Sequence, residues 1–172
     1  DQQRVTVNQR LKLFTTICSA IEHAHQRGII HRDLKPSNVL VSCDHGAAAP
    51  KVIDFGLAKA LPWANCGEPT TAVTAPGVIL GTPSYMSPEQ ISASEPNADT
   101  RSDVYALGVI LYELIAGELP FVPASKEEGG WLETFRRITQ DAPQRPSTRI
   151  KASEQLTERA AARGESAQAL IQ

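Results

Sequence analysis

A segment that is apolar on almost every side places the strongest constraint on how this chain can fold. From about Ser102 to Ala116 the sequence is predicted to form an α-helix, and its interior, Val104 to Ile115, is apolar nearly all round. Such a helix has no face suited to water, so we expect it at the centre of a globular domain. Ser102 is a candidate N-cap, and Gly117 is expected to end the helix.

A second helix and a small hairpin are predicted ahead of this segment. Large apolar residues recur at three- and four-residue steps from about Asn8 to Arg27, which is typical of a helix. Asn8 or Thr6 can cap the start of this helix. Gly28 stands where a residue with a left-handed conformation is expected at its end. Val39–Val41 and Lys51–Ile53 are rich in strand-forming residues and enclose turn residues, which predicts a short hairpin.

The remaining segments carry weaker patterns. Between residues 57 and 80 periodicity is lost and Pro, Gly, Thr and Ala dominate, which predicts a surface loop. Trp131 to Ile138 has the spacing of a short helix, Asp141 to Ser147 reads as a proline-broken linker, and Glu154 to Gln172 is expected to be marginal helix. The predicted fold class is α+β, mainly α, with a core over residues 1–121 and an incomplete helical region with a linker over 122–172.

Charge and hydropathy exclude several classes of function. The 17 basic and 19 acidic residues nearly balance, and no Lys/Arg stripe is present, so we expect no nucleic-acid partner. The longest apolar run, Ala106 to Tyr112, is far shorter than the roughly 20 residues that cross a bilayer. No signal peptide is recognisable. We therefore expect this segment to lie in the cytoplasm, and a membrane anchor outside it is left open.

The cysteines and histidines do not predict a metal site or a disulfide framework. Cys18, Cys43 and Cys66 are odd in number and far apart, so reduced thiols are expected. His23 and His25 stand two residues apart on a predicted helix, and such side chains point to different faces.

Three short motifs follow one another in an order that suits phosphoryl transfer. His31-Arg32-Asp33-Leu34-Lys35-Pro36-Ser37-Asn38 comes first, Asp54-Phe55-Gly56 second and Ser87-Pro88-Glu89 third. Transfer of a phosphoryl group requires an acceptor hydroxyl held in line, metal ions across the phosphates and positive charge near the moving group. The first two motifs contain residues for each of these tasks.

The candidate catalytic residues are close together in the predicted fold. Asp33 is the candidate base for the acceptor hydroxyl, and Lys35 can reach the transferred phosphate. Asn38 and Asp54 offer the oxygen ligands that Mg²⁺ prefers. Since they lie at the ends of the two predicted strands, the hairpin is expected to bring them together.

From about Asn8 to Phe121 these motifs and their order closely resemble the C-terminal lobe of Ser/Thr protein kinases, especially the eukaryotic-like kinases of bacteria. The resemblance implies a kinase-like C-terminal lobe with the hairpin at the active site, and no N-terminal β-lobe within this chain. It also implies transfer of the γ-phosphate of ATP to Ser or Thr hydroxyls of proteins. At Ser87 the family more often has Ala. This difference does not weaken the resemblance.

The resemblance implies a site for ATP, Mg²⁺ and a protein substrate. Lys35, two positions after the base, marks Ser/Thr kinases rather than tyrosine kinases, and Thr82 matches the residue that bridges base and lysine to position the substrate. Leu40 would lie beneath the adenine. The residues implied to bind the nucleotide are Lys35, Ser37, Asn38, Leu40 and Asp54, with Asn38 and Asp54 as metal ligands.

Further residues receive structural roles from the resemblance. His31 and Phe55 would join the hydrophobic spine that stacks in the active state, and Asp103 would hold the backbone of the loop that carries the candidate base. Glu89 would normally pair with an arginine from a later helix. Arg145 follows the buried helix too closely to be that arginine, so we expect Glu89 to lack this partner.

Regulation by phosphorylation is a further expectation. Arg32, beside the base, and Lys59 resemble the basic pocket that grips a phosphorylated activation loop, where a phosphate adds charge-assisted hydrogen bonds. Two copies of the protein could associate so that one phosphorylates the activation loop of the other. The candidate acceptors are Thr74 first, then Thr71 and Thr70, and the alternative is that these residues only solubilise the loop.

Parts of a complete kinase are missing from these residues. No Gly-rich phosphate loop, strand lysine or helix glutamate precedes Asp33, and the chain opens on Asp1 rather than Met. We expect a fragment of a longer kinase that is inactive in isolation.

Two other functions are weighed against this one. The first is a non-catalytic kinase-like interaction module, although such a scaffold has no need to keep Asp33, Lys35, Asn38 and Asp54. The second is a small-molecule phosphotransferase of the aminoglycoside type. Lys35, Thr82 and the Ser87-Pro88-Glu89 motif argue against it, because they shape a platform for a peptide substrate.

Overall fold

The computed structural model describes residues 5–44, 47–55, 83–92, 99–123, 128–152 and 160. This part of the chain is mainly helical, with one two-stranded antiparallel sheet, in agreement with the predicted class. None of its helices is long and apolar enough to cross a membrane. In chain order the elements are α1 (Val7–His25), β1 (Val39–Asp44), β2 (Ala47–Val52), α2 (Pro88–Ser92), α3 (Thr100–Ala116), α4 (Glu128–Gln140) and α5 (Pro146–Lys151), with 3₁₀ turns at Pro36–Asn38 and Pro83–Tyr85.

Helix α1 confirms the first predicted helix to within two residues at each end. Its N-cap is Thr6, whose hydroxyl accepts a hydrogen bond from the Gln9 N–H at 3.3 Å while the Gln9 amide oxygen accepts one from the Thr6 N–H at 2.8 Å. This reciprocal arrangement is a capping box. After the helix, Gly28 takes the expected left-handed conformation, with φ at +72°.

The hairpin pairs β1 and β2 in antiparallel register, with Val39 opposite Val52 and Val41 opposite Pro50. Strand β2 begins earlier than the predicted Lys51. Pro50 is tolerated in it because the outer edge of a two-stranded sheet needs no backbone donor. The pairing places the start of β1 beside the end of β2, and the two metal-ligand candidates flank these strand ends.

Helix α3 forms the centre of the core, but its start differs from the prediction. The N-cap is Asp99, whose carboxylate accepts a hydrogen bond from the Arg101 N–H at 2.7 Å, so the assignment of Ser102 as N-cap is wrong. Ser102 lies inside the first turn and is buried. Both side chains can cap a helix, and the one that lies just ahead of the first turn does so.

One face of α3 carries the packing. Ala106 and Ile110 form a buried cluster with Ile21 of α1 and Leu34 of the following loop. The opposite face is less buried than its composition suggests, since Val104 is 61 % exposed. The helix therefore connects α1 to the loop that contains the candidate base.

The region after Phe121 is more ordered than predicted. Helix α4 includes the short helix expected over Trp131 to Ile138. Helix α5 begins at Pro146, inside the segment predicted as a linker, so the linker assignment is wrong for its last two residues. Proline at a first helical position has a suitable fixed φ and lacks only an N–H that would be unpaired there.

Helix α5 is held against α3 by one deeply buried side chain. Ile150 is 1 % exposed and packs with Tyr112 and Ala116 of α3. Beside it, Arg149 Nε lies 3.0 Å from Glu118 Oε2. Helix α5 thus packs against the C-terminal part of the predicted central helix.

Truncating this anchor is expected to destabilise the domain. Ile150→Ala removes buried methyl and methylene groups and leaves a cavity, which costs about 2–5 kcal/mol of unfolding free energy. Denaturant unfolding of the parent and the variant measures this loss. The variant is expected to unfold at a lower midpoint concentration of denaturant, with the same dependence of the unfolding free energy on denaturant concentration. Thr148→Ala, on the exposed side of the same helix, is the matched control. Equal midpoints for both variants would contradict the packing of α5 on α3.

Candidate active site

The loop after α1 is held by hydrogen bonds to a buried carboxylate on α3. Asp103, 1 % exposed, accepts hydrogen bonds from the backbone N–H groups of His31 and Arg32, each at 2.8 Å. The Nε2 atom of His25 lies 2.8 Å from the same carboxylate. A buried carboxylate requires such donors, because its burial without them would be very costly. This is the contact that the resemblance implied for Asp103.

The contact of His25 is one that sequence reasoning missed. The two-residue spacing of His23 and His25 argued only against a metal site there, and the structure separates their side chains as expected. His23 Nδ1 is exposed and lies 2.8 Å from an Arg27 nitrogen, whereas His25 points inward to Asp103. The signal that identifies the inward residue is the four-residue spacing of His25 from the buried Ile21, which places both on one face of the helix.

The loop itself has a disfavoured backbone conformation. Arg32 has φ at +64°, in the left-handed region that non-glycine residues seldom occupy. The Asp103 carboxylate, which receives the Arg32 N–H, helps to hold it there. The Arg32 side chain is exposed, as a phosphate-binding role would require.

His31 packs between the loop and the second motif. It is fully buried, its Nε2 lies 2.9 Å from the Ile53 carbonyl oxygen, and its ring centroid is 4.8 Å from that of Phe55 at a tilt of 50°. Tilted aromatic pairs at this separation are favourable. His31 therefore connects the loop of the candidate base to the residues on either side of Asp54.

The three candidate residues of the first motif are brought together. The Lys35 ammonium lies 2.8 Å from Asp33 Oδ2. The Asn38 amide nitrogen donates to the Asp33 carbonyl oxygen at 2.8 Å, closing the loop between them. A cation thus lies against the carboxylate of the candidate base, and an amide holds the backbone of the same residue. Ser37 is exposed beside them in the 3₁₀ turn.

The candidate metal ligands are neighbours across the hairpin base. The Ile53 N–H donates to the Asn38 carbonyl oxygen at 2.9 Å, so Asp54 follows directly after a residue bonded to Asn38. Asp54 is exposed, with φ at +60°. Since the Asn38 nitrogen is engaged by Asp33, its amide oxygen is the atom suited to bind a cation.

The chemistry of this oxygen pair fits Mg²⁺. Within the described residues no group of three or more His, Cys, Asp and Glu residues could hold a metal. A kinase-type magnesium site does not need one, because phosphate oxygens and water complete the coordination. Leu40, on β1 nearby, is 54 % exposed, so its side chain is accessible to a nucleotide base.

The third motif is tied to α3 through hydroxyl groups. Ser87 is fully buried, and its hydroxyl lies 3.3 Å from that of Ser102, which donates to Glu89 Oε1 at 3.1 Å. In the described part of the chain Glu89 forms no ion pair with an arginine, and Arg145 is exposed at the start of α5. Ser102, expected to cap a helix, instead serves as a partner of Glu89.

A tyrosine anchors the same motif to α3. The Tyr85 hydroxyl donates to Glu113 Oε2 at 2.6 Å. Burial, followed by the hydrogen bond and the charge of Glu113, raises the pKa of Tyr85 well above its usual value. The phenol therefore stays neutral and keeps donating over the physiological range. A small depression, lined by Tyr85, Met86, Arg32 and Asp33 among others, lies between this motif and the candidate base.

Several predicted residues lie outside the described part of the chain. These are the substrate-positioning candidate and the proposed regulatory residues of the loop: Thr82, Lys59, Thr70, Thr71 and Thr74.

Comparison with known proteins identifies the family of this chain. The profile of the protein kinase domain matches residues 1–172. The chain belongs to the protein kinase family. The resemblance to bacterial Ser/Thr kinases is thereby confirmed, and kinases of this family use ATP and Mg²⁺.

Individual relatives of this kinase domain carry the same family name. It is 43 % identical over 114 residues to the serine/threonine-protein kinase PknB of Mycobacterium leprae, covering 66 % of this chain and 17 % of that protein. A protein named probable serine/threonine-protein kinase PknB from Lactococcus lactis is 46 % identical over 114 residues, covering 66 % of this chain and 16 % of the relative. A probable serine/threonine-protein kinase of Corynebacterium efficiens is 38 % identical over 143 residues, with 83 % of this chain and 19 % of the relative covered. The chain thus spans less than a fifth of the length of these curated relatives.

Proposed function

We propose that this chain supplies the phosphate-transfer side of a Ser/Thr protein kinase, which moves the γ-phosphate of ATP to Ser or Thr hydroxyls of proteins. The observation that carries the proposal is the convergence of Lys35 and Asn38 on Asp33. A lone Asp in a loop is ordinary, whereas an Asp whose carboxylate faces a cation and whose backbone is held by a neighbouring amide is suited to in-line phosphoryl transfer.

Each residue has a defined task in this proposal. Asp33 accepts the proton of the substrate hydroxyl. Lys35 places its charge at the base, where the transferred phosphate passes. Asn38 and Asp54 would hold Mg²⁺, which neutralises phosphate charge when bound.

Several finer features belong to the same proposal. Exposed Arg32, with Lys59, would receive a phosphate on Thr74, Thr71 or Thr70, and self-association would allow one copy to phosphorylate another. Ser37 and Leu40 would contact the nucleotide, and Thr82 would position the substrate. The 172 residues hold no Gly-rich phosphate loop ahead of Asp33, so we propose that they form a C-terminal lobe that transfers little phosphate by itself. The segment would work in the cytoplasm.

The test is a transfer assay on the longer protein that carries this chain. With ATP labelled in the γ-phosphate, Mg²⁺ and casein as acceptor, acid hydrolysis of the product is expected to release phosphoserine and phosphothreonine. Chelation of Mg²⁺ by EDTA is expected to stop the reaction. Absence of transfer would favour the docking module, and transfer to an aminoglycoside offered in a parallel reaction, with none to casein, would favour the small-molecule phosphotransferase.

A further inference from the structure

One side chain joins the third motif to the loop of the candidate base. Gln90, in α2, donates from Nε2 to the Arg32 carbonyl oxygen at 2.9 Å. Its amide oxygen accepts a hydrogen bond from the Ser87 N–H at 3.0 Å and lies 3.2 Å from the Ser87 hydroxyl. Both ends of a single amide are therefore engaged, one on each side of the depression beside Asp33.

The position of the Arg32 carbonyl gives this contact its importance. That oxygen belongs to the peptide group that leads directly into Asp33. The nitrogen of the same peptide group donates to His31 Nδ1 at 3.3 Å. Because Arg32 has a disfavoured φ of +64°, the orientation of this peptide depends on its partners. Gln90 is the partner at the oxygen end.

We propose that Gln90 is a positioning residue for Asp33, which fixes the peptide ahead of the base and couples it to the segment that contains Ser87. The inference rests on the proposed function, since it concerns how Asp33 is aimed at an acceptor hydroxyl. Gln90 thereby links two segments that are distant in sequence. When the segment with Ser87 packs against the loop, the loop holds Asp33 in the orientation that faces an acceptor hydroxyl. A displacement of about 1 Å at a reacting group can lower a rate about a hundredfold.

Two substitutions separate this role from simple packing. Gln90→Leu fills a similar volume but removes both the donor and the acceptor. Gln90→Glu keeps an acceptor for the Ser87 N–H but sets a carboxylate oxygen against the Arg32 carbonyl. Protonation of that introduced carboxyl restores a donor, and the facing carbonyl oxygen favours the protonated form.

The first measurement is steady-state kinetics on the longer protein. Both variants are expected to lose about tenfold or more in kcat, with the KM for ATP within about twofold of the parent. The kcat of Gln90→Glu is compared with that of the parent at each pH. The loss of kcat is expected to become smaller as the pH is lowered from about 8 to about 5.5, because the introduced carboxyl group takes up a proton. Gln144→Glu, at an exposed position before α5, is the matched control and is expected to change neither quantity.

The second measurement needs no activity. In hydrogen exchange followed by mass spectrometry, the peptide over residues 29–36 is expected to exchange faster in both variants, while peptides from α1 and α3 keep the parent rate. If the parent protein transfers no phosphate, the proposed function fails, and the exchange data alone decide whether Gln90 holds the loop. Normal kcat in both variants of an active parent overturns the proposal, and so does unchanged exchange over residues 29–36 or equally faster exchange throughout the domain.

Discussion

Asp33→Asn is expected to lower kcat about a thousandfold while the fold is preserved. The asparagine side chain has the same shape but cannot take the proton of the acceptor hydroxyl. It also loses the charge that faces Lys35 at 2.8 Å. The contacts that hold the loop, from Asn38 and Gln90 to its backbone, do not involve the side chain of Asp33 and should persist.

Steady-state transfer by the proposed longer kinase, together with nucleotide binding and thermal unfolding, tests this expectation. ATP affinity and melting temperature should stay close to those of the parent. Asp99→Asn is the matched control, because asparagine caps a helix as well as aspartate does. A kcat near that of the parent in Asp33→Asn would remove Asp33 from its role as the base.

Asp103→Ala is expected to cost about 3–5 kcal/mol of unfolding free energy and to stop phosphate transfer. The substitution leaves the N–H groups of His31 and Arg32 without their shared acceptor in a buried site. It also removes the partner of His25 and a restraint on the left-handed conformation of Arg32. The loop of the base then loses its attachment to α3.

Asp103→Asn supplies an intermediate case if the alanine variant fails to fold. One side-chain oxygen remains as an acceptor while the second position becomes a donor facing an N–H, so a smaller loss of stability is expected. Denaturant unfolding and hydrogen exchange over residues 29–36 measure both effects. Asp141→Ala, at an exposed position, is the control. A stability within about 0.5 kcal/mol of the parent for Asp103→Ala would show that the loop is held by other contacts.

The predictions that succeeded depended on local patterns. The α1 periodicity, the strand-forming runs of the hairpin and the apolar interior of α3 each appear within a few residues of sequence. The candidate catalytic residues could be picked out because Asp33, Lys35 and Asn38 lie in one short motif, and the structure brings these three residues together. The hairpin then explained how Asp54 meets Asn38, and the backbone bond between Ile53 and Asn38 shows that the two strand ends do meet.

The features that sequence reasoning missed depend on contacts between distant segments. Ser102 has the residue type of a cap, and only the fold shows that Asp99 does the capping while Ser102 faces Glu89. Helix α5 is too short to have a periodic signature, and its stability comes from Ile150 in the core. Gln90 is an ordinary polar residue until α2 places it against Arg32.

The left-handed conformations of Arg32 and Asp54 have a consequence for how this sequence can vary. Glycine adopts such a backbone without steric cost, whereas another residue pays about 1 kcal/mol or more for it. Selection for thermal stability alone would therefore tolerate or favour glycine at both sites. Selection for phosphate transfer is expected to oppose it at Asp54, because glycine lacks the carboxylate of the proposed metal ligand. At Asp54, therefore, a library sorted for folding and a library sorted for turnover should diverge.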